Sequence, residues 1–200
     1  MKKLVWIFGS SSDYSKNIKT VFESQGHWVY CWGRSNCDYS SFENFQKDKL
    51  IPDVVVWNAN IEEKIAIINT PGAMTIENIK TMFNEYTTIF TFMLKLVKWL
   101  KLQDKPINIC NISSSITAWP HKEDKYVMYS VLRSMLQQVV FSASNSTCTA
   151  FCVSPSGIDT HNNKDYAIKT VELINDNTDL CVIDLSMNNK VIDFKTYKNE

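Results

Sequence analysis

Short, uninterrupted apolar runs alternate along this chain with segments of helical period, and that alternation constrains the fold more than any single motif. Leu4-Val5-Trp6-Ile7-Phe8 is closed by Gly9, and residues 14–25 then take up helical spacing, so the chain opens as strand, glycine turn, helix. Residues 27–32 read as a second strand ended by Gly33, residues 40–47 as a short helix, and Asp53-Val54-Val55-Val56-Trp57 as a β-branched third strand. A long helical zone at 75–102 precedes a strand at 107–112, a helix at 126–143, a strand at 149–154, a helix at 164–173 and a strand at 180–185. Strands apolar on both faces and separated by helices belong to a parallel sheet covered on both sides.

Right-handed crossovers from the first strand, reversing direction once, wind such a sheet into a three-layer α/β sandwich. The stretch from Trp32 to Asp38 is too short for a crossover, which needs about a dozen residues. The expected sheet therefore has six parallel strands in the spatial order second, first, third, fourth, fifth, sixth. No repeat or linker divides the chain, so residues 1–200 form one domain. Twenty-one basic and 21 acidic residues cancel, which removes the field that a nucleic-acid or membrane-surface binder carries. Lys95 and Lys98 interrupt the best apolar run, at 89–100, below the roughly 20 residues of a membrane span. Gly9 ends the N-terminal apolar stretch too early for a signal peptide, so a cytoplasmic location is expected. None of the six cysteines forms a Cys-x-x-C pair; they read as free thiols rather than metal ligands, with Cys37 in a turn. Of the 21 cations only Arg34 and Arg133 are arginine, so each arginine invites a functional reason.

In a doubly wound sheet the ligand lies beyond the carboxyl ends of the strands where their order reverses. Gly9-Ser10-Ser11-Ser12 follows the first strand and opens a helix, offering backbone N–H groups and three hydroxyls to a phosphate. The competing reading is a plain helix start capped by Ser12 or Asp13. Arg34 closes the second strand, where an acidic residue would bind a ribose 2′-hydroxyl and an arginine accommodates a 2′-phosphate; this points to NADP(H), against a merely solvated arginine.

Several segments, in order, carry a resemblance to the short-chain dehydrogenase/reductase family over residues 4 to about 160. Val56-Trp57-Asn58-Ala59-Asn60 resembles the strand that ends in Asn-Asn-Ala-Gly, and Asp38 stands where the family often flanks the adenine with an aspartate. Asn111-Ile112-Ser113-Ser114 resembles the segment whose second serine is catalytic, here Ser114, with Ser113 and Ser115 as rivals. Tyr129-Ser130-Val131-Leu132-Arg133 resembles Tyr-x-x-x-Lys, and Asn84 matches the asparagine that completes a tetrad. Ser154-Pro155-Ser156-Gly157-Ile158-Asp159-Thr160 resembles the segment along the nicotinamide, with Pro155, Ile158 and Thr160 at the cofactor. The resemblance implies a Rossmann-like fold with the third family strand missing or vestigial. It also implies hydride transfer between NADP(H) and a small carbonyl or alcohol, and homodimers or homotetramers through the helices at 84–102 and 126–144. The apolar residues on several faces of the first of these helices, Phe90, Phe92, Met93, Val97 and Trp99, fit such an assembly or a deeply buried helix.

The chemistry needs these residue types. A phenol has an ordinary pKa of about 10, so Tyr129 requires a cation beside it to exchange protons near neutrality, and Arg133 lies four residues on along one helix face. Ser114 would hold the substrate oxygen, and Asn84 would anchor a water that relays protons.

The family's Gly-x-x-x-Gly-x-Gly, however, survives only as Gly9, with Asp13 and Ser15 at the later glycines. On this pattern Asp13 places a carboxylate beside the cofactor's own negative charge, and Ser15 intrudes where helix and strand pack closely. Asn60 replaces a further glycine, and Arg133 replaces a lysine with a group that never gives up its proton. Two alternatives follow: a catalytically silent relative used for dinucleotide sensing or protein binding, and an enoyl-reductase-like variant, whose cofactor turn Gly9, five residues, then Ser15 resembles and in which Tyr126, seven residues before Arg133, is the acid. His121 reads as exposed loop.

Overall fold

The computed structural model describes residues 1–47, 49–59, 75–113, 127–155, 163–179, 181–185 and 190–193, with the backbone alone for 127–129, 184 and 190–193. The described elements are β1 (Leu4–Phe8), α1 (Asp13–Ser24), β2 (Trp28–Trp32), α2 (Phe42–Gln46), β3 (Val54–Trp57) and α3 (Ile76–Lys101). They continue as β4 (Ile107–Ile112), α4 (Val127–Phe141), β5 (Cys148–Ser154), α5 (Asn163–Asn175), β6 (Cys181–Asp184) and β7 (Lys190–Asp193).

The sheet runs β2-β1-β3-β4-β5-β6-β7. Its first six strands are parallel and stand in the order read from the sequence. The seventh strand was not anticipated: β7 pairs antiparallel with β6. Only residues 185–189 separate the two strands, too few for the crossover that a parallel pairing needs.

Alternation along the strands divides the core in two, as a sheet buried on both faces requires. Trp6 and Phe8 of β1 and Val55 and Trp57 of β3 pack with α2, α3 and α4, whereas Val5, Ile7, Val54 and Val56 pack with α1 and α5. The first layer is unusually aromatic. Phe42 and Phe45 of the five-residue α2 reach Phe92 of α3 at centroid distances of 5.4 and 5.1 Å, and Phe45 also meets Trp6 and Trp32 at 5.4 and 5.0 Å. This cluster covers the sheet where a longer crossover helix would otherwise lie.

Between β2 and β3 there is no strand among the described residues. The chain after Trp32 turns sharply: Asn36 and Cys37 N–H groups both donate to the Gly33 carbonyl, and Asn36 Nδ2 donates to the Cys31 carbonyl at 2.9 Å. The asparagine thus satisfies part of the outer edge of β2. This turn buries Cys37 to 5% exposure. All six cysteines are free thiols.

The long helix α3 starts at a Thr75 cap, whose hydroxyl accepts the Asn78 N–H. Met82, Tyr86, Ile89, Phe92, Met93, Leu96, Val97 and Leu100 are buried, and the Tyr86 hydroxyl donates to the Leu132 carbonyl of α4. Phe90 and Trp99 are partly buried against the same core, which leaves Leu94 as the exposed apolar residue in mid-helix. Among the described residues no helix is long and apolar enough to cross a membrane.

Candidate functional site

The reversal of strand order sets the carboxyl ends of β1 and β3 side by side, and Phe8 is paired with both Trp32 and Trp57. A cleft of about 450 Å³ opens there. Its floor is the turn Gly9 to Ser12; Gly33, Arg34, Ser35 and Tyr39 form one wall, and Asn58, Ala59 and Ile89 the other. A second chamber of about 630 Å³ shares Arg34, Ser35, Tyr39 and Ile89 and extends to Asp38, Ser40, Glu85 and Thr88. Arg34 therefore stands at the junction of the two.

Gly9 occupies the left-handed region at φ +77°, and a Cβ there would lie 2.4 Å from the Asn58 carbonyl oxygen. Only glycine permits this approach of β1 to the end of β3. Past the glycine, Ser12 proves to be the cap of α1: its hydroxyl accepts the Ser15 N–H at 3.2 Å and one Asn58 Nδ2 hydrogen at 2.9 Å. Ser12 lines the cleft, but its hydroxyl is committed within the protein. Ser10 and Ser11 line it as expected.

Asp13 corrects the sequence expectation. Its side chain is 71% exposed and accepts from Lys16 at 2.7 Å, which, together with the lysine's charge, holds its carboxyl below the usual range; it does not line the cleft. Ser15, expected to intrude, is accommodated at 1% exposure. Its hydroxyl donates to the Gly9 carbonyl and accepts from Asn58 Nδ2, both at 2.9 Å.

Asp38 is exposed in the second chamber, and its Oδ1 accepts the Ser40 hydroxyl at 2.6 Å and N–H at 2.9 Å, which lowers its pKa. Tyr39 and Ile89 are cleft residues that sequence reading missed. Tyr39 directly follows the motif position Asp38, and Ile89 lies five residues beyond Asn84, so each was adjacent to a signal without carrying one. Burial pushes the Tyr39 phenol above its ordinary value, keeping it a neutral donor.

At the carboxyl end of β4, Arg133 is 3% exposed and donates from a terminal guanidinium nitrogen to the Ile112 carbonyl at 2.8 Å. One turn later Gln137 Nε2 donates to Ser113 Oγ at 2.7 Å. These two side chains seat α4 on the end of β4, one helical turn beyond the backbone position of Tyr129. Asn84 is exposed on α3 and its carbonyl accepts from Thr88 at 3.4 Å. Pro155 is buried just past β5. Ser114, Ser115, His121, Tyr126, Ile158, Thr160 and the side chain of Tyr129 lie outside the described residues.

No protein-family model matches the chain, and no curated protein matches its sequence. Solved structures do. One is a short-chain dehydrogenase/reductase from Vibrio parahaemolyticus, 20% identical over 84% of this chain and 91% of that one, with a TM-score of 0.60. Another is a small-chain dehydrogenase in complex with NADPH, 9% identical over 92% and 97% of the two chains, also at 0.60. A third is a short-chain dehydrogenase from Leptospira borgpetersenii serovar Hardjo-bovis with bound NAD+, 14% identical over 87% and 85%, at 0.50. The chain has the fold of these structures along most of its length.

Proposed function

We propose that this protein is an NADP(H)-dependent oxidoreductase of the short-chain dehydrogenase/reductase type, acting on a small carbonyl or alcohol. The observation that carries the reading is the two-chambered cleft at the strand reversal, with the Gly9 turn at its floor and Arg34 at its junction. The residues suit a dinucleotide. Gly9 leaves the turn open, Asp13 is turned aside onto Lys16, and Arg34 supplies positive charge where a 2′-phosphate would lie. In this reading Gly9, Ser10 and Ser11 hold the diphosphate end with Ala59 and the backbone of Ser12 and Asn58, whose side chains are engaged within the protein, Asp38 flanks the adenine, and Pro155, Ile158 and Thr160 lie along the nicotinamide.

A bound nicotinamide supplies hydride to the carbonyl carbon, or takes it from the alcohol carbon. Tyr129 gives a proton to the carbonyl oxygen during reduction and removes it during oxidation, while Ser114 holds that oxygen. Arg133 favours the phenolate by its charge and keeps its own proton throughout. Proton return to solvent therefore runs through water at Asn84, whose exposure on α3 suits that task.

Isothermal titration with NADPH and NADH, followed by 340 nm assays against small aldehydes and ketones, tests the reading. Micromolar NADPH binding with carbonyl-dependent oxidation is expected, and Tyr129→Phe abolishes the turnover. Full activity in that variant transfers the acid role to Tyr126; no binding at millimolar dinucleotide removes the proposal. A second reading, a silent dinucleotide-binding module, is favoured by Arg133 being buried with one donor tied to the Ile112 carbonyl. It predicts binding without turnover.

A further inference from the structure

The geometry points to Ser15 as a positioning residue for dinucleotide binding, one that joins the Gly9 turn to Asn58 from behind the cleft wall. The inference rests on the cofactor reading above. Against the Gly-x-x-x-Gly-x-Gly pattern Ser15 reads as a defect, and against the enoyl-reductase turn as a match; in the structure its hydroxyl is the centre of a closed network.

Ser15 Oγ donates to the Gly9 carbonyl at 2.9 Å and accepts from Asn58 Nδ2 at 2.9 Å and from Ser12 Oγ at 3.1 Å. Ser12 Oγ in turn accepts the other Asn58 Nδ2 hydrogen at 2.9 Å and the Ser15 N–H at 3.2 Å. Each hydroxyl thereby uses its one donor and both acceptor positions, and the Asn58 amide uses both hydrogens. Three elements meet at this oxygen: the end of β1, the first turn of α1 and the end of β3.

Ser15 itself is not among the residues that line the cleft, but Gly9, Ser12 and Asn58, the residues it ties together, all are. The hydroxyl consequently takes no space from a ligand, while fixing the floor of the cleft against its Asn58 wall. Removing it takes the partner from the part-buried Gly9 carbonyl, from one Asn58 amide hydrogen and from the Ser12 hydroxyl hydrogen, and leaves Asn58 held by Ser12 alone. A glycine at 15 also loosens the first helical turn.

Restoring the glycine, Ser15→Gly, weakens binding, the opposite of what the glycine motif predicts. NADPH titrations of the wild-type protein, Ser15→Ala and Ser15→Gly, at a temperature where circular dichroism shows all three folded, are expected to give roughly tenfold weaker binding in both variants, about the loss of one net hydrogen bond. In 15N-resolved NMR the Asn58 side-chain amide is expected to exchange slowly in the wild type and rapidly in Ser15→Ala, a change that a general loss of stability does not localise to one amide. Equal or tighter binding by Ser15→Gly overturns the positioning role. Should the wild type bind neither NADPH nor NADH, the cofactor reading falls. The Asn58 signal then decides on Ser15 alone: loss of protection in Ser15→Ala supports its hold on Asn58, and no change refutes it.

Discussion

At residue 34 a guanidinium stands where two chambers of one cleft meet. If it receives a 2′-phosphate, removing it costs NADPH a charge-assisted hydrogen bond and costs NADH nothing comparable. Arg34→Ala should therefore lower the NADPH:NADH affinity ratio by about 10- to 100-fold, from a loss of roughly 1.5–3 kcal/mol. Competitive titration of the two dinucleotides measures it, and an unchanged ratio would dissociate Arg34 from cofactor choice. Gly9 is constrained by backbone rather than charge. Gly9→Ala must hold a side chain at φ +77° and push the Asn58 carbonyl from 2.4 Å. The dihedral alone costs about 1–2 kcal/mol, so the urea midpoint should drop and dinucleotide binding should fall with it. Arg133 shows the limit of reading residues singly. The sequence placed a cation four positions after Tyr129; only the fold revealed that this cation is buried and bonded to the end of β4.

Among the elements, α2 carries more than its five residues suggest. Phe42 and Phe45 plug the sheet face over β1 and β2, and Phe45 touches rings from β1, β2 and α3. Truncating Phe45 to alanine opens a cavity that a rigid sheet cannot collapse to fill, at a cost of about 3–5 kcal/mol. A fall in the denaturant midpoint at constant m-value checks this, whereas a loss under 1 kcal/mol would show that α2 is only loosely docked. The helices α3 and α4 present Leu94 and Val131 to solvent at 45% and 44% exposure, with the aromatic residues of α3 mostly turned inward. If these helices form the dimer or tetramer that the family resemblance implies, Leu94→Lys should reduce the mass measured by light scattering towards 23.1 kDa. A wild-type protein that is already monomeric at high concentration excludes that assembly.

For the molecule as a whole, stability should decline on acidification through two sites at the amino-terminal edge of the sheet. His27 Nδ1 accepts the Lys3 N–H at 3.1 Å, a bond that only the unprotonated ring can make, and desolvation with neighbouring lysine charge lowers its pKa. Its contribution is complete above the ordinary value of about 6.5 and is lost as pH falls through the lower folded-state value. Asp53 accepts the Leu4 N–H at 2.6 Å and faces Lys105 at 2.8 Å; burial opposes its charge, but these partners hold its pKa down. That contribution is complete above about 3.9 and is lost at still lower pH. Urea midpoints measured from pH 7.5 to 4.5 should fall for the wild type and fall less for His27→Gln. The amino-acid sequence by itself determined the layers, the order of the six parallel strands and the place of the cleft, because apolar runs and helical periods are local patterns and the handedness of crossovers leaves few ways to connect them. It also singled out Gly9, Arg34 and Asn58, which line that cleft. It misjudged Asp13 and Ser15 and passed over Tyr39, Ile89 and β7, since where a short polar side chain turns depends on neighbours distant in the chain. Asp13 was free to face Lys16, and Ser15 became a fitting part of the turn only when β3 brought Asn58 within hydrogen-bonding distance, which tertiary structure alone decided.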